Sequence, residues 1–143
     1  MTSRARRERG TSPPPVVALF GATGLGKTEV AVALAERLGA EVVIADSMQV
    51  YRGLPIITNQ PSAEVAARVR YHLVGTVEPS REWSVAAYAR AAHAAIDDAL
   101  ARGVPVVLEG GSGLYLRAAL GELGLAGRPD PELRREREDS WAR

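Results

Sequence analysis

The chain has 143 residues, a formal net charge of +1 and no cysteine. This length is typical of one domain with a hydrophobic core, and the lack of cysteine excludes disulfides, thiolate metal sites and a cysteine nucleophile. Hydrophobic residues make up 46% and charged residues 24%, as in an ordinary globular protein, and no apolar run is long enough to span a membrane. We therefore expect a cytoplasmic protein, and its near-neutral charge does not by itself indicate nucleic-acid binding.

The first 15 residues differ in composition from the rest, being rich in arginine and then in proline. No apolar run follows the arginines, so this segment lacks the pattern of a signal peptide. Its composition predicts a disordered basic tail over residues 1–15, followed by a folded core over residues 16–127.

The core begins with the pattern of a strand, a helix and a second strand. Val16–Phe20 is an apolar run of five residues, typical of a strand that is buried on both faces of a parallel sheet. Apolar residues at helical spacing predict a helix over 28–38, and Gly39 is its expected end. The apolar run at 42–44 predicts the second strand. This order and length are typical of a parallel βαβ unit.

The second half of the core has two more predicted helices and a third strand. Segment 53–82 contains three prolines, and within it Ser62 is expected to cap a short helix over 63–69. Ser84 is expected to cap a long helix that runs to residue 102. The apolar run at 104–108 predicts a strand, and the glycines after it open a helix over 114–120. Asp130 is a candidate cap for a charged helix in 128–143, which we expect to be cut short.

The turn between the first strand and the first helix has the clearest chemical pattern. Residues 21–28 match the phosphate-binding loop (P-loop) pattern G-x-x-x-x-G-K-[ST] in its expected strand–loop–helix context. Glycines let backbone N–H groups turn toward a phosphate, and the helix adds its positive dipole end. Lys27, the single lysine among 18 basic residues, suits the distal phosphate, and the Thr28 hydroxyl suits Mg²⁺. The predicted diphosphate-binding residues are Gly21, Ala22, Thr23, Gly24, Leu25, Gly26, Lys27 and Thr28.

Two carboxylates follow predicted strands. Asp46 follows the second strand and Glu109 the third, and the carboxyl ends of parallel strands meet at the ligand crevice of an α/β sheet. Asp46 is therefore expected either to face the P-loop or to cap the turn that it begins. Glu109 is either a carboxylate that holds magnesium or activates water, as in an NTPase, or a solvated residue at the sheet edge.

Two blocks of sequence accompany the P-loop. Residues 46–53 read Asp-Ser-Met-Gln-Val-Tyr-Arg-Gly, and residues 110–117 read Gly-Gly-Ser-Gly-Leu-Tyr-Leu-Arg. Weaker matches lie at 58–61, 72–73 and 83–88. Over residues 16–133 this combination resembles the tRNA dimethylallyltransferase (tRNA isopentenyltransferase) family. The resemblance, like the P-loop, implies a P-loop NTPase-like parallel sheet flanked by helices.

The resemblance implies transfer of a dimethylallyl group from dimethylallyl diphosphate to N6 of the tRNA adenosine 3′ of the anticodon. In that reaction the P-loop and Mg²⁺ would hold the donor diphosphate, with Thr28 as a metal ligand. Asp46 would be the general base and would accept a hydrogen bond from the flipped adenine. Ser112, which stands at a family threonine, is the second implied catalytic residue. The implied tRNA-contacting residues are Asp46, Ser47, Met48, Gln49 and Ser112.

This chain departs from the family pattern at several positions, and two departures bear on its function. Glu109 stands where the family usually has an apolar residue, so it adds negative charge near the diphosphate site. The family also continues well beyond residue 143. We therefore expect an amino-terminal part, monomeric and inactive alone, that holds the donor site and the base.

The alternative function is a P-loop kinase for a nucleotide or small metabolite, which would bind ATP. Such a kinase does not need the block at 46–53, so this block favours the transferase.

Overall fold

Among the residues that the structure describes, a four-stranded parallel sheet lies between two layers of helices. The structure is a computed structural model, and it describes residues 13–121 together with Glu132, Arg135, Glu136, Asp139 and Ser140. The elements in chain order are β1 (Val16–Phe20), α1 (Lys27–Leu38), β2 (Glu41–Ile44), α2 (Ala63–Ala66), β3 (Tyr71–His72), α3 (Val85–Ala101), β4 (Val106–Gly110) and α4 (Gly113–Leu120). The strand order is β1-β4-β2-β3, and every neighbouring pair is parallel. The predicted fold class is therefore confirmed.

The two central strands, β2 and β4, are buried along their whole length because helices cover both faces of the sheet. In β2, Val43 packs in the core beneath α3 and α4, whereas Val42 and Ile44 pack in the core beneath α1. This alternation follows from the two-residue period of a strand. Burial on both faces also explains why these strands appear in the sequence as continuous apolar runs.

The third predicted strand lies later in the chain than its apolar run suggests. The pattern predicts a strand over 104–108, but β4 begins and ends two residues further on. The N–H of Val104 donates to the Ala99 carbonyl at the end of α3, at 2.9 Å, so the chain joins the sheet only afterwards. The strand then continues through Glu109, because β1 and β2 pair with it on both sides at that residue.

The irregular segment is more ordered than its prolines suggest. The predicted helix over 63–69 is shorter, since α2 ends at residue 66. The carbonyl of Arg70 accepts a hydrogen bond from the N–H of Val42 at 2.8 Å, which draws the chain into β3, a strand that the sequence did not predict. The predicted caps Ser62 and Ser84 are confirmed, because each side chain accepts a hydrogen bond from the N–H three residues later.

Some predictions fall outside the described residues. These are most of the tail over 1–15, the end of the predicted core after residue 121 and the Asp130 cap. Within 128–143, the five described residues are helical and exposed, and the boundary at 128 stays a prediction. None of the helices in the described part of the chain is long and apolar enough to cross a membrane.

A buried ion pair holds the end of the sheet opposite to the P-loop. Glu41 is only 7% exposed, and both of its carboxylate oxygens accept hydrogen bonds from the Arg102 guanidinium at 2.8 Å. His72 Nε2 lies 2.7 Å from Glu41 Oε2. The hydrogen bonds from Arg102, helped by that of His72, lower the pKa of Glu41 to about 2 against the opposing effect of burial. This contact joins β2, β3 and the end of α3.

We expect Glu41→Gln to lower the free energy of unfolding by about 1–3 kcal/mol at pH 7, because hydrogen bonds to a charged group are lost in a buried place. The folded-state pKa of about 2 lies below the ordinary value of 4.5, so the stabilisation by Glu41 is present above pH 4.5 and is lost as the pH falls toward 2. Urea denaturation of both proteins at several pH values measures this. A stability difference that stays constant from pH 7 to pH 2 would contradict the assignment.

Candidate functional site

The P-loop connects β1 to α1 in a conformation that requires glycine. Gly24 and Gly26 have φ values of 83° and 72°, in the left-handed region that other residues rarely adopt. Gly26 is also the residue before α1, and no side chain caps this helix. The first N–H groups of α1 are therefore left for a ligand, as in an anion site at a helix amino terminus.

Lys27 is held on the loop itself. Its Nζ donates a hydrogen bond to the carbonyl oxygen of Ala22 at 2.7 Å, and its side chain lines the cleft beside the loop. A phosphate oxygen would be a stronger partner than this neutral carbonyl, because both members of the bond would then be charged. We therefore expect a bound diphosphate to replace the Ala22 carbonyl as the partner of Lys27 Nζ.

Asp46 does both of the things that its sequence context suggests. Its Oδ1 accepts hydrogen bonds from the N–H groups of Met48 at 2.7 Å and Gln49 at 3.2 Å, so it caps the turn. The residue also lines the same cleft as Lys27. Within the described residues, Oδ2 has no hydrogen-bond partner. One oxygen thus fixes the carboxylate and the other is left for a ligand.

The cleft has a volume of about 710 Å³ and brings together four segments of the chain. The P-loop and the 46–49 turn form part of its wall, segment 57–62 forms another, and the end of β4 with Gly111 completes it. The predicted site residues that line it are Thr23, Gly24, Gly26, Lys27, Thr28, Asp46, Ser47, Met48 and Gln49. The sequence blocks at 21–28 and 46–53 therefore meet in one place.

Ser112 lies apart from that group. It precedes α4, and its Oγ accepts a hydrogen bond from the N–H of Tyr115 at 3.4 Å. It is not one of the residues that line the cleft, although its neighbour Gly111 is. In this arrangement its hydroxyl serves as a helix cap, and its implied contact with substrate stays a prediction.

Gly110 is required by the close approach of β4 to the residue after β2. A Cβ at position 110 would lie 2.8 Å from the Cβ of Ala45 and closer still to its carbonyl group. The same approach lets Ala45 N donate to the carbonyl of Glu109 at 2.7 Å, so Glu109 in β4 and Asp46 just after β2 lie at the carboxyl ends of neighbouring strands. The glycine thus sets the width of the cleft floor.

We expect Gly110→Ala to lower the free energy of unfolding by about 1–3 kcal/mol, the usual cost of an extra methyl group in a full interior. Gly113→Ala is the matched control, since nothing lies within 4 Å of a Cβ placed there. Urea denaturation followed by circular dichroism compares the two. Equal stability of both variants would contradict this packing.

Glu109 is buried, and the prediction of a solvated edge residue is wrong. It lies in a central strand and is 3% exposed. Thr28 Oγ1 donates a hydrogen bond to its Oε1 at 2.7 Å, whereas the buried Oε2 has no partner among the described residues. Burial raises the pKa of this carboxyl group, and the hydrogen bond from Thr28 and the charge of Lys27 act in the opposite direction. The alternative, a carboxylate that holds magnesium or activates water, is compatible with this position beside Thr28 and stays a prediction.

Gln60 supports the turn that begins at Asp46, although its sequence context does not indicate this role. Gln60 Nε2 donates to the carbonyl oxygens of Gln49 at 2.9 Å and Tyr51 at 2.7 Å, so it ties segment 57–62 to the turn that begins at Asp46. Gln49 Oε1 is buried and has no partner among the described residues. The weak match at 58–61 was the only signal for this contact in the sequence.

A family model described as IPP transferase matches residues 49–143. The chain belongs to the IPP transferase family. It is 49% identical over 128 residues to a tRNA dimethylallyltransferase of Anaeromyxobacter dehalogenans, covering 90% of this chain and 43% of that protein. It is 47% identical over 131 residues to a tRNA dimethylallyltransferase of Myxococcus xanthus, covering 92% and 42%.

Solved structures of the family have the same fold. The full-length tRNA isopentenylpyrophosphate transferase of Bacillus halodurans matches with a TM-score of 0.75 and 40% identity, over 90% of this chain and 43% of that one. A eukaryotic dimethylallyltransferase acting on tRNA matches with a TM-score of 0.70 and 28% identity, over 88% and 35%. This IPP transferase chain therefore spans about 40% of the length of the curated relatives that it matches.

Proposed function

We propose that this chain forms part of an enzyme that transfers a dimethylallyl group from dimethylallyl diphosphate to N6 of the tRNA adenosine 3′ of the anticodon. The observation that carries the proposal is the meeting of the P-loop and Asp46 in one cleft, where Asp46 Oδ2 has no partner among the described residues. Family membership adds support, because the relatives are named tRNA dimethylallyltransferases. An enzyme with this substrate would act in the cytoplasm, and we propose that it does so as a monomer.

The donor half of the reaction needs a group that stabilises a departing diphosphate. The allylic C–O bond breaks and its electron pair leaves with the diphosphate, so positive charge must be in place before the bond breaks. Lys27 and the first N–H groups of α1 supply it from this chain. The Thr28 hydroxyl and the Glu109 carboxylate are hard oxygen donors of the kind that Mg²⁺ prefers. When bound there, Mg²⁺ would neutralise further diphosphate charge.

The acceptor half needs a base at the adenine amine. As the new N6–C bond forms, one N6 proton must leave, and Asp46 Oδ2 is the group in the cleft that we assign to take it. The two backbone N–H groups on Oδ1 keep the carboxylate oriented during this transfer. Gln49 Oε1, which has no partner among the described residues, is a further acceptor for a base edge. Ser47 and Met48 are exposed and line the cleft where the tRNA would enter.

The kinase alternative shares the P-loop and the carboxylate beside it. It gives no reason for a second carboxylate, Asp46, to be fixed at the cleft by its own turn. The family match covers the 49–143 part of the chain and also favours the transferase.

A binding titration of the purified chain by calorimetry tests the proposal. In the presence of Mg²⁺, dimethylallyl diphosphate and ATP are titrated separately, and inorganic pyrophosphate serves as the control for the diphosphate group alone. We expect the prenyl donor to bind more tightly than ATP. A clear preference for ATP would contradict the transferase and favour the kinase.

A further inference from the structure

The carboxylate of Glu109 lines the cleft, is almost fully buried, and has one of its two oxygens in a hydrogen bond within the described residues. Its side chain lies in a strand with neighbours on both sides, and Thr28 donates to one oxygen. The other oxygen, Oε2, is buried and has no partner among the described residues. An acceptor that is buried and unpaired is unfavourable by about 1–3 kcal/mol, and by more when it is charged. A ligand that binds Glu109 Oε2 would therefore remove this unfavourable contribution.

The charges around Glu109 favour a cation as that ligand. Lys27 lines the same cleft, but its Nζ is bonded to the Ala22 carbonyl and not to Glu109. Glu29 and Asp46 line the same cleft and add charge of the same sign as Glu109. A diphosphate brought directly to this carboxylate would add still more negative charge. A cation between the diphosphate and the Glu109 carboxylate would offset this repulsion.

We infer that Glu109 Oε2 and Thr28 Oγ1 form a divalent-cation site that binds Mg²⁺ or Mn²⁺ before the diphosphate arrives. The Thr28 hydroxyl gives its hydrogen to Glu109 Oε1, so its oxygen keeps lone pairs for a metal. No group of three or more histidine, aspartate or glutamate side chains in the described part of the chain is arranged to hold a metal. Water would complete the shell, as is usual for Mg²⁺, and diphosphate oxygens would later replace some of it.

This site rests on the proposed diphosphate function, and it adds a property to it. In this chain the carboxylate makes diphosphate binding depend on the metal. Without the cation the Glu109 charge repels the diphosphate, and with it the same charge holds the bridging ion in place.

The test measures metal binding with no diphosphate present. Mn²⁺ is titrated into the chain, and the free ion is followed by electron paramagnetic resonance. We expect Glu109→Gln to weaken Mn²⁺ binding by at least about tenfold, since even residues that only orient a metal ligand are worth about 10- to 100-fold in affinity. Glu82→Gln is the matched control, because it removes the same charge from an exposed residue that does not line the cleft. This control should bind Mn²⁺ as the unchanged chain does.

A second measurement uses inorganic pyrophosphate in the presence of EDTA. Removal of the repelling charge should make Glu109→Gln bind pyrophosphate more tightly than the unchanged chain when no metal is available. Thr28→Val, which removes the other metal-binding oxygen, should weaken Mn²⁺ binding without this gain. Glutamine keeps the shape of the side chain and an acceptor for Thr28, so the variant should fold, and its thermal unfolding is recorded alongside.

Three results would overturn the inference. They are an unchanged chain that binds no Mn²⁺ without diphosphate, a Glu109→Gln variant that binds Mn²⁺ normally, and a Glu82→Gln control that loses binding equally. If Mn²⁺ does not bind alone but dimethylallyl diphosphate binds with Mg²⁺, the cation site fails while the proposed function stands. If Mn²⁺ binds at Glu109 and the prenyl donor does not bind at all, the proposed function fails instead.

Discussion

Replacement of Lys27 with methionine is expected to weaken the binding of dimethylallyl diphosphate by about 10- to 100-fold, since a hydrogen bond to a charged group is worth about 1.5–3 kcal/mol. Methionine keeps most of the length of the side chain and removes the charged ammonium group that donates the hydrogen bond. Because Lys27 Nζ is bonded to an exposed loop carbonyl and not to the core, the sheet should keep its stability. Calorimetric titration with Mg²⁺ present measures the loss.

Arg37→Met is the control for this variant. Arg37 lies in the last turn of the same helix, is exposed and does not line the cleft, so its loss changes the net charge equally. It should bind the donor as the unchanged chain does. Equal binding by the Lys27 variant would show that the loop does not hold the diphosphate.

The Asp46→Asn substitution is expected to spare donor binding and to lower the rate of transfer by about 10²- to 10⁴-fold, the usual contribution of a general base. Asparagine keeps an oxygen for the N–H groups of Met48 and Gln49, so the turn should survive. Its amide cannot take the N6 proton. Donor binding and transfer therefore respond differently to the same change.

Transfer is measured with labelled donor and tRNA in a chimera. The chain spans 42% of the Myxococcus xanthus relative, so residues 1–143 are joined to the remaining part of that protein. Asp97→Asn is the control, because Asp97 is exposed on α3 and outside the cleft. Full transfer by the Asp46 variant would refute its role as the base.

Local sequence determined most of the elements of this fold. The helix caps Ser62 and Ser84, the apolar runs of β1 and β2 and the P-loop are set by residues close together in the chain. Such signals can be recognised without knowing what packs where, because hydrogen bonds of caps and turns join near neighbours. The parallel direction of the strands could be predicted as well, since a helix between two buried strands leaves few other topologies.

The sequence alone also indicated that the P-loop and a carboxylate after β2 belong to one kind of site. The contacts that each side chain makes there follow only from the packing of the whole fold. Asp46 both caps its turn and lines the cleft, whereas Ser112 caps α4 and does not line the cleft. Glu109 is buried because β1 and β2 pair with β4 on both sides, and it meets a threonine 81 positions away. Burial and long-range contacts depend on strand order and register, and those properties are fixed by the packing of the whole sheet rather than by any local run of residues.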